Sequence, residues 1–553
     1  MILMIAVIFA AAITIQPGQV LQTFAAETPS SSGGGPQTTN PKYEFRAAWV
    51  ASVVNIDWPS KKGLDSEVQK KEFQKIAETL KSNNMNAVIV QVRPVSDAFY
   101  PSAYTTWSEY LSGVQGKAPE PYYDPLAFII ETAHANNLEF HAWVNPFRIT
   151  MKGNSDLQSL AADHPARKHP EWVVNYDNQL FFNPGIPEAN AFIIESILEI
   201  VKNYDVDAIH MDDYFYPYPV SGVVFPDQKE YALYGGGKSL EDFRRANVDG
   251  LVKELNAAIK REKSYVKFGI SPFGVWRNLK DDPTGSDTTA SVMNYDSLYA
   301  DTRTWIKNGW IDYIMPQIYW DFAEPAAPYV KVLNFWMKEM QLNPDVHLYT
   351  GNATYKIGTD SRGGGWKIPG ELSNQLNKNR ESAIVKGSAF YNMTSVAADP
   401  LAEISGVVKK QYQTLALIPP MTWLNQGGMT FVAPKVLTRR VSRGVRILID
   451  NHSIIETAKT GSAAASGAVG ITAADSLSKA KEMLKGYVIY RVEGQQTVDR
   501  NNPAHILAVL PKSDRRNSCF IDLTADKNKQ YTYAVTAIDR LYNESLAATS
   551  SEL

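Results

Sequence analysis

The chain of 553 residues has a single cysteine, Cys519, and no large excess of charge of either sign. One cysteine excludes an intrachain disulfide, and its position leaves no lipidation site near the N-terminus. With 55 Lys and Arg against 58 Asp and Glu, the formal net charge is −3. Such a balance provides no strong basic field for phosphates, so it argues against nucleic acid as the main partner.

Long hydrophobic runs are also scarce. The apolar stretch Met1–Ile13 is too short to span a bilayer comfortably, so we expect no stable membrane span. A small-x-small site at Thr23–Ala25 follows, which predicts a signal peptide over residues 1–26 and an exported protein of the periplasm, cell envelope or exterior. The first Lys or Arg is Lys42, so a start further upstream and a retained N-terminal anchor stay open. Residues 27–42, rich in Ser, Gly, Thr and Pro, predict a flexible linker.

The composition is that of a soluble globular protein, with 44% hydrophobic and 20% charged residues, and the length predicts two domains. Short β-rich runs alternate with amphipathic helical stretches, which favours an α/β fold, a (β/α)8 TIM barrel over residues 43–425. An open doubly wound sheet is the main alternative, but no glycine-rich phosphate loop follows the first strand. The eight predicted strands are Phe45–Ser52, Ala87–Arg93, Glu139–Asn145, Ala208–Asp212, Val266–Pro272, Tyr313–Tyr319, Val346–Asn352 and Ser388–Asn392. The predicted helices are Ser66–Lys81, Pro125–Asn136, Glu188–Tyr204, Leu240–Lys260, Asp296–Lys307, Tyr329–Met340 and Pro369–Lys378.

The character of the chain changes after Gly428. The runs Gly486–Arg491 and Gln530–Asp539 alternate strongly, as half-exposed strands do, and predict a smaller all-β sandwich over residues 431–553. The second run resembles the late strands of a fibronectin type III module, including the aromatic position of its tyrosine corner. Residues 460–474, rich in Ala, Gly and Ser, predict a long loop. A spacer or scaffold is the favoured role of this module, with polymer binding as the alternative.

Polar and aromatic side chains collect at the predicted C-terminal strand ends, where a barrel of this type has its catalytic mouth. Asp212 and Asp213 come directly after the fourth strand and are followed by aromatic residues and a proline. Paired carboxylates suit glycoside hydrolysis, which needs one group to protonate the leaving oxygen and another to attack or stabilise the anomeric centre. The alternative is a capped strand end whose carboxylates bind backbone amides.

Several separated motifs, in the same order, resemble the bacterial glycosyl-hydrolase-like family 10. They are Phe45–Val50, Asp212–Pro217, Ser271–Gly274 and Met315–Trp320, within a similarity that covers about residues 43 to 420. The resemblance implies an exported barrel-shaped glycosidase. It points to the glycan backbone of peptidoglycan, especially strands without peptides, or to a related polysaccharide.

Two mechanisms follow from the Asp pair. In a two-carboxylate scheme, Asp212 or Asp213 is nucleophile or base and a second carboxylate is the acid; Asp321 is the main candidate and Asp57 a weaker one. The other scheme uses the substrate's 2-acetamido group as nucleophile. The pair resembles the arrangement in O-GlcNAc hydrolases, and by that analogy Asp212 orients the acetamide and Asp213 is the acid. Both carboxylates reach the mouth only if the strand has already ended, because consecutive strand residues point to opposite faces.

The remaining candidates are polar and aromatic groups near the same strand ends, each with a structural alternative. The arginines could bind a sugar carboxylate or form a structural ion pair. The amides could hydrogen-bond sugar hydroxyls or the loop backbone. The aromatic rings could stack on sugars or pack in the core. His210 is more readily explained as a hydrogen-bonded support than as a base. The predicted substrate-binding residues are Arg93, Trp143, Asn145, Arg148, His210, Tyr214, Trp276, Gln317, Tyr319 and Asn352, with Trp320 as a further stacking candidate.

Two other classes of function stay open. His141, His210, Asp212 and Asp213 have the donor types of a metal-dependent sugar deacetylase. His164 and His169 are five residues apart, one too many for the i, i+4 pair of a helical zinc site. The third possibility is a barrel that binds glycan without cleaving it. We expect a glycosidase without metal or cofactor.

Overall fold

The computed structural model describes residues 40–425, 428–458 and 473–551. The predicted signal peptide, and the predicted linker up to residue 39, lie outside these ranges. So does the predicted loop 460–474, apart from its last two residues. Among the described residues, no helix is both long and apolar enough to cross a membrane.

Eight parallel strands close into a barrel, which confirms the predicted fold class. Each strand pairs with the next along the chain, and the eighth pairs with the first, with Phe45 opposite Gly387. The strands are almost wholly buried, as expected for parallel strands covered by helices. The strands are β1 (Phe45–Val50), β2 (Ala87–Arg93), β3 (Glu139–Val144), β4 (Ala208–Met211), β5 (Lys267–Ile270), β6 (Tyr313–Ile314), β7 (His347–Asn352) and β8 (Val385–Phe390).

A ring of helices surrounds the barrel. Some of the longer ones start at side-chain caps: the Asp65 carboxylate accepts a hydrogen bond from the Glu67 amide, and the Ser239 hydroxyl accepts one from the Asp242 amide. The main helices are Ser66–Ser82, Pro125–Ala135, Pro187–Asn203, Leu240–Glu262, Thr302–Lys307, Tyr329–Glu339, Glu371–Arg380 and Glu403–Lys410. Shorter ones are Glu109–Ser112, Pro165–Lys168, Gln228–Tyr234, Asn294–Ser297 and Met393–Ala398.

The predicted helix over 296–307 is wrong as a single element. It is two helices, Asn294–Ser297 and Thr302–Lys307. Tyr299 between them has a positive φ of 54°, which breaks the first helix. Asp301 then accepts a hydrogen bond from the Thr304 amide and starts the second.

The chain between β3 and β4 makes a long excursion at the mouth end of the barrel. It contains a hairpin of Val173–Asn175 and Leu180–Phe182, which the sequence analysis did not predict. The Phe182 amide donates to the Phe147 carbonyl, and Phe181 forms a bridge with Arg148. The hairpin thereby holds the segment that carries Arg148 next to the barrel.

The C-terminal region forms two small antiparallel sheets, which confirms a smaller β-sheet module after the barrel. Two helices, Asn451–Glu456 and Ala473–Met483, lie within it. The strands are β9 (Val436–Val441), β10 (Gly444–Asp450), β11 (Leu484–Glu493), β12 (Ile506–Pro511), β13 (Asn517–Asp522), β14 (Tyr531–Asp539) and β15 (Ala548–Ser551). One sheet has the strand order β9-β10-β13 and the other β12-β11-β14-β15.

The module contacts the N-terminal ends of the barrel strands, opposite the mouth. Asp207, just before β4, accepts hydrogen bonds from Lys485 Nζ at 2.5 Å and from the His134 ring at 2.8 Å. Tyr542 of the module is buried, with Lys267 of β5 over its ring at 5.4 Å. Burial of these charged groups among matched partners joins the two parts into one compact unit.

Candidate active site

The Asp pair lies where β4 has ended. The strand stops at Met211, and Asp212 and Asp213 are the first two residues of the loop that follows. Both side chains are buried, at 5% and 3% exposure. Because the chain has left the strand, the two carboxylates are not forced to opposite faces of the sheet.

Asp212 is held by several hydrogen-bond donors. Asn145 Nδ2 lies 2.8 Å from Oδ1 and 2.7 Å from Oδ2, and the Trp143 indole donates to Oδ2 at 3.1 Å. The Tyr214 amide donates to Oδ1 at 3.1 Å. Burial raises the pKa of Asp212, while Arg148 and these donors oppose the rise by favouring the ionised form.

Asp213 has fewer donors and a stronger reason to stay protonated. Burial, and then the charge of Asp212, raise its pKa to about 7, although hydrogen bonds from Tyr218 and Gln317 act against the rise. The Tyr218 hydroxyl donates to Asp213 Oδ2. The two carboxylates titrate as a pair, and this asymmetry of surroundings leaves the proton on Asp213 near neutral pH.

Asn145 is locked in the orientation that serves Asp212. Its Oδ1 accepts hydrogen bonds from Gln91 Nε2 at 2.6 Å and from Arg148 Nη2 at 3.1 Å, so its Nδ2 points to the carboxylate. Arg148 also donates to the Pro94 carbonyl at 3.1 Å and lies 5.0 Å over the ring of Tyr214. Four predicted residues, Trp143, Asn145, Arg148 and Tyr214, therefore surround Asp212, and Gln91, which was not predicted, holds Asn145 in place.

Aromatic rings line the site next to the pair. Tyr319 stacks on Tyr391 at 5.9 Å, and Tyr355 meets the same two rings edge-on at 6.0 and 5.7 Å. The charges of Asp213 and Asp212 act on the Tyr319 hydroxyl, whose pKa is raised mainly by burial. Tyr355 and Tyr214 are 43% and 38% exposed, so sugar rings can reach them.

Sequence reasoning missed Tyr218, Tyr355 and Tyr391 in this site. Tyr218 lies five residues after Asp213, and the other two follow the ends of β7 and β8. Position after a barrel strand is the signal that would have found them. Trp320 contacts Phe273 at 5.5 Å, and Phe273 contacts Tyr218 at 6.3 Å, which extends the aromatic wall.

Three predicted substrate-binding residues have contacts that favour structural roles. Trp276 is buried and stacks on Phe335 at 5.9 Å. Asn352 is fully buried and donates to Gln375 Oε1 at 2.7 Å. Arg93 is fully buried, and its hydrogen bond runs to the Asn145 carbonyl at 3.5 Å. Strand-end position alone does not separate side chains that enter the mouth from those that turn into the surrounding packing.

Among the described residues, no hydrogen bond joins Asp321 to Asp212 or Asp213. It is fully buried, where Oδ1 accepts from the Ala323 amide at 3.0 Å and Oδ2 accepts from the Ser361 hydroxyl and the Gly365 amide. These contacts favour a role in fixing the loop after β7. Asp57 accepts from the Ala51 and Thr394 amides, both at 2.8 Å, and so joins the segments after β1 and β8.

The histidines considered for a metal site are engaged with other partners. His210 contacts the hydroxyls of Tyr313 and Ser271, and His141 contacts Tyr313 and Glu139. Within the ranges that the structure describes, no three His, Cys, Asp or Glu side chains are grouped as metal ligands. His164 uses Nδ1 to accept from the Ala166 amide.

Comparison with known proteins gives a consistent assignment. Residues 44–365 match the family described as Glycosyl hydrolase-like 10. Glycosyl hydrolase YngK of Bacillus subtilis (strain 168) is 49% identical over 511 residues, covering 91% of this chain and 92% of that protein. Glycosyl hydrolase DigH of Escherichia coli (strain K12) is 35% identical over 384 residues, covering 66% of this chain and 86% of that protein. Among solved structures, the endo-beta-1,4-mannanase from Thermotoga petrophila has a TM-score of 0.37 and 7% identity, covering 93% of this chain and 98% of that chain. The chain belongs to the glycosyl hydrolase-like 10 family and is a glycoside hydrolase.

Proposed function

We propose that this glycoside hydrolase acts outside the cytoplasm on the glycan strands of peptidoglycan, above all strands without peptides, using the substrate's own 2-acetamido group as nucleophile. The observation that carries the proposal is the unequal Asp pair. Asp213 has a pKa of about 7, whereas Asp212 is surrounded by donors to its ionised form. Two carboxylates whose surroundings favour different protonation states can serve as one acid and one ionised partner.

The proposed first step uses both members of the pair. Asp213 donates its proton to the glycosidic oxygen, while the acetamido carbonyl oxygen attacks the anomeric carbon and the bond to the leaving sugar breaks. Asp212 accepts a hydrogen bond from the acetamido N–H and stabilises the positive charge of the ring that forms. In the second step the ionised Asp213 removes a proton from water, and the water oxygen attacks the anomeric carbon. The bond from the anomeric carbon to the acetamido oxygen breaks, so the acetamido group is restored and Asp213 is protonated again.

The surroundings of the other carboxylates support this scheme over the two-carboxylate one. The Asp321 carboxylate accepts hydrogen bonds from the loop that contains Ser361 and Gly365, and the Asp57 carboxylate accepts them from two backbone amides. Neither is therefore poised as an acid opposite the pair. An internal nucleophile removes the need for a further carboxylate, and peptidoglycan sugars carry the N-acetyl group that this requires.

The test is mass spectrometry of products from the purified protein and peptide-free peptidoglycan glycan strands, with and without a chelator. We expect shorter oligosaccharides in both conditions, and the reducing-end sugar identifies the bond cut. Strands whose acetyl groups have been removed should be cleaved at least about 100-fold more slowly, because they lack the nucleophile. Loss of acetyl mass that a chelator abolishes would overturn the proposal in favour of a deacetylase.

Substitutions of the pair are tested beside a matched carboxylate elsewhere. Asp212→Asn and Asp213→Asn should each lower kcat at least about 100-fold. Asp249 also has a pKa raised to about 7 by burial, but it lies on the helix Leu240–Glu262 and accepts from the Trp305 indole at 2.6 Å. Asp249→Asn should leave kcat within about twofold of wild type. Equal losses of activity in all three variants would contradict the proposed roles.

A further inference from the structure

The barrel interior beneath the Asp pair contains a chain of buried polar side chains that the proposed mechanism does not use. We define this interior column as Glu139, His141, Tyr313, His210 and Ser271. Its consecutive members are 2.8, 2.8, 3.0 and 2.9 Å apart. Every member is at most 1% exposed. Buried polar groups of this kind are retained only where their hydrogen bonds are satisfied.

The lower end fixes the direction of the hydrogen bonds. Glu139 receives Lys267 Nζ at 2.7 Å on both oxygens, and this cation holds its pKa low, so Glu139 can only accept. His141 Nε2 must therefore donate to Glu139. Burial lowers the pKa of His141 and keeps it neutral, so its Nδ1 accepts from the Tyr313 hydroxyl.

The upper end requires the same direction independently. The Trp49 indole, which can only donate, lies 3.3 Å from His210 Nε2. His210 Nε2 is therefore an acceptor and also receives the Ser271 hydroxyl. Since burial lowers the pKa of His210 well below its usual range, the ring is neutral and carries its proton on Nδ1, which donates to Tyr313. A donor-only group at one end and an acceptor-only group at the other thus select one tautomer for each histidine.

Space for the column is built into the neighbouring strand. Gly269 lies between His210 and Tyr313 in the strand register. A Cβ atom at Gly269 would lie 2.0 Å from Cζ of Tyr313, so only glycine lets this ring cross the barrel.

The column continues to the proposed acid through Gln317. Gln317 Nε2 donates to the Ser271 carbonyl at 2.9 Å. The Gln317 side chain also lowers the pKa of Asp213 as a hydrogen-bonding neighbour, and the Ser271 amide donates to the carbonyl of Met211, directly before the pair, at 2.8 Å. The position of Ser271, fixed by its hydroxyl on His210, thus sets the position of both Gln317 and the end of β4.

We infer that the interior column is a positioning device for catalysis: by fixing the tautomer of His210 it holds Ser271 and Gln317, and through them the acid Asp213. Tyr313 and His210 are on this view positioning residues and do not touch the substrate. The inference rests on the proposed function, in which Asp213 is the acid.

Tyr313→Phe tests the inference, with Tyr349→Phe as the matched control. Tyr349 is equally buried in the same barrel interior, but its hydroxyl contacts His347 Nδ1 at 3.2 Å, outside the column. On peptide-free glycan strands, we expect Tyr313→Phe to lower kcat about 10- to 100-fold while KM stays within about twofold of wild type. Tyr349→Phe should leave both kcat and KM within about twofold of wild type. The alkaline limb of the kcat profile should move to higher pH in Tyr313→Phe, because Asp213 loses the donor that favours its ionised form. Equal kcat and equal profiles in the two variants would overturn the inference.

A second measurement does not depend on activity. In protein labelled with ¹⁵N-histidine, the wild-type His210 ring should show the Nδ1-protonated neutral tautomer, and Tyr313→Phe should shift its resonances more than Tyr349→Phe does. A wild-type His210 protonated on Nε2 would overturn the column. If Tyr313→Phe fails to fold, Ser271→Ala provides a second test: it breaks the upper link while Tyr313 stays in place, and it should lower kcat in the same way. Failure of the proposed function itself is distinguishable, since Asp213→Asn would then remain active.

Discussion

Asp212 and Asp213 are neighbours in the chain, yet their side chains meet different surroundings. Asp212 faces the amide of Asn145, the indole of Trp143 and a backbone N–H. Asp213 faces the Tyr218 hydroxyl and the charge of its neighbour. Identical residue types therefore obtain different proton affinities, because the segments after β3 supply donors to one of them only.

The raised pKa of Asp213 has a consequence for stability. From an unfolded value near 3.8 to a folded value of about 7, the folded protein keeps a proton that the unfolded chain has released. Wild-type stability therefore falls as pH rises through this window, by at most about 1.4 kcal/mol per pH unit. Asp213→Asn removes this loss, so the unfolding free energy of the variant should rise relative to that of wild type from about pH 4 to about pH 7, and the difference should then stay level. Denaturant unfolding at several pH values measures the difference, and a constant difference across the range would count against the raised pKa.

For individual residues, the sequence predicted the Asp pair and several of its partners, but not the complete set of partners. Asn145, Trp143 and Gln317 were found because they stand directly at strand ends. Tyr355 and Tyr391 were missed although they lie three residues and one residue past the ends of β7 and β8, because position after a strand does not show which side chains turn toward the pair. The position of Asp321 past β6 was read as catalytic, but the Ser361 loop that covers it is 40 residues away in the chain.

Among the elements, the barrel strands were the most predictable. A parallel strand covered on both faces needs a short apolar run, and that run is visible without knowledge of its neighbours. The hairpin of Val173–Asn175 and Leu180–Phe182 was missed because three residues in each strand are too few for a periodic pattern. The break at Tyr299 depends on a single backbone conformation, which composition does not reveal.

The fit of Tyr313 against β5 makes Gly269 a sensitive position in an otherwise regular strand. Gly269→Ala should destabilise the protein by about 3 kcal/mol or more, because the added methyl group meets the Tyr313 ring. It should also lower kcat, as the displaced ring no longer joins His141 and His210. Unfolding in denaturant and steady-state kinetics measure the two effects.

Gly250→Ala is the matched control for that substitution. Gly250 lies within the helix Leu240–Glu262, and a Cβ atom there meets nothing within 4 Å. The change should stabilise the protein by about 0.5–1 kcal/mol, because alanine loses less conformational freedom in a helix. If Gly269→Ala were tolerated as well as Gly250→Ala, the close approach of Tyr313 would be refuted.

For the molecule as a whole, the docking of the C-terminal module was beyond sequence reasoning. It depends on pairs such as Lys485 with Asp207 and Arg540 with Asp205, which are far apart in the chain. Alternating strands reveal that a β-sheet module exists, but not which of its charges meets which charge of the barrel. The likeness of this module to fibronectin type III stays a prediction.

Loss of an ion pair at this junction should affect the entire unit. Lys485→Ala leaves the buried Asp207 without its nearest cation and should cost about 3 kcal/mol of unfolding free energy. We expect barrel and module to unfold together in a single calorimetric transition at a lower Tm. Lys529→Ala, which removes an exposed pair with Glu493, should change Tm little. Two separate transitions in the wild-type protein would contradict the cooperative junction.

The attachment of the module also determines how a long substrate can lie on the enzyme. The described contacts of the module with the barrel are at the N-terminal strand ends, as with Asp207 and Lys267, whereas Asp212 and Asp213 open at the other pole. Within the part of the chain that the structure describes, a glycan across the mouth therefore meets only barrel loops in both directions from the scissile bond. The described strands and helices of the module do not restrict the length of glycan on either side, so their placement permits cuts in the interior of a strand as well as near its ends.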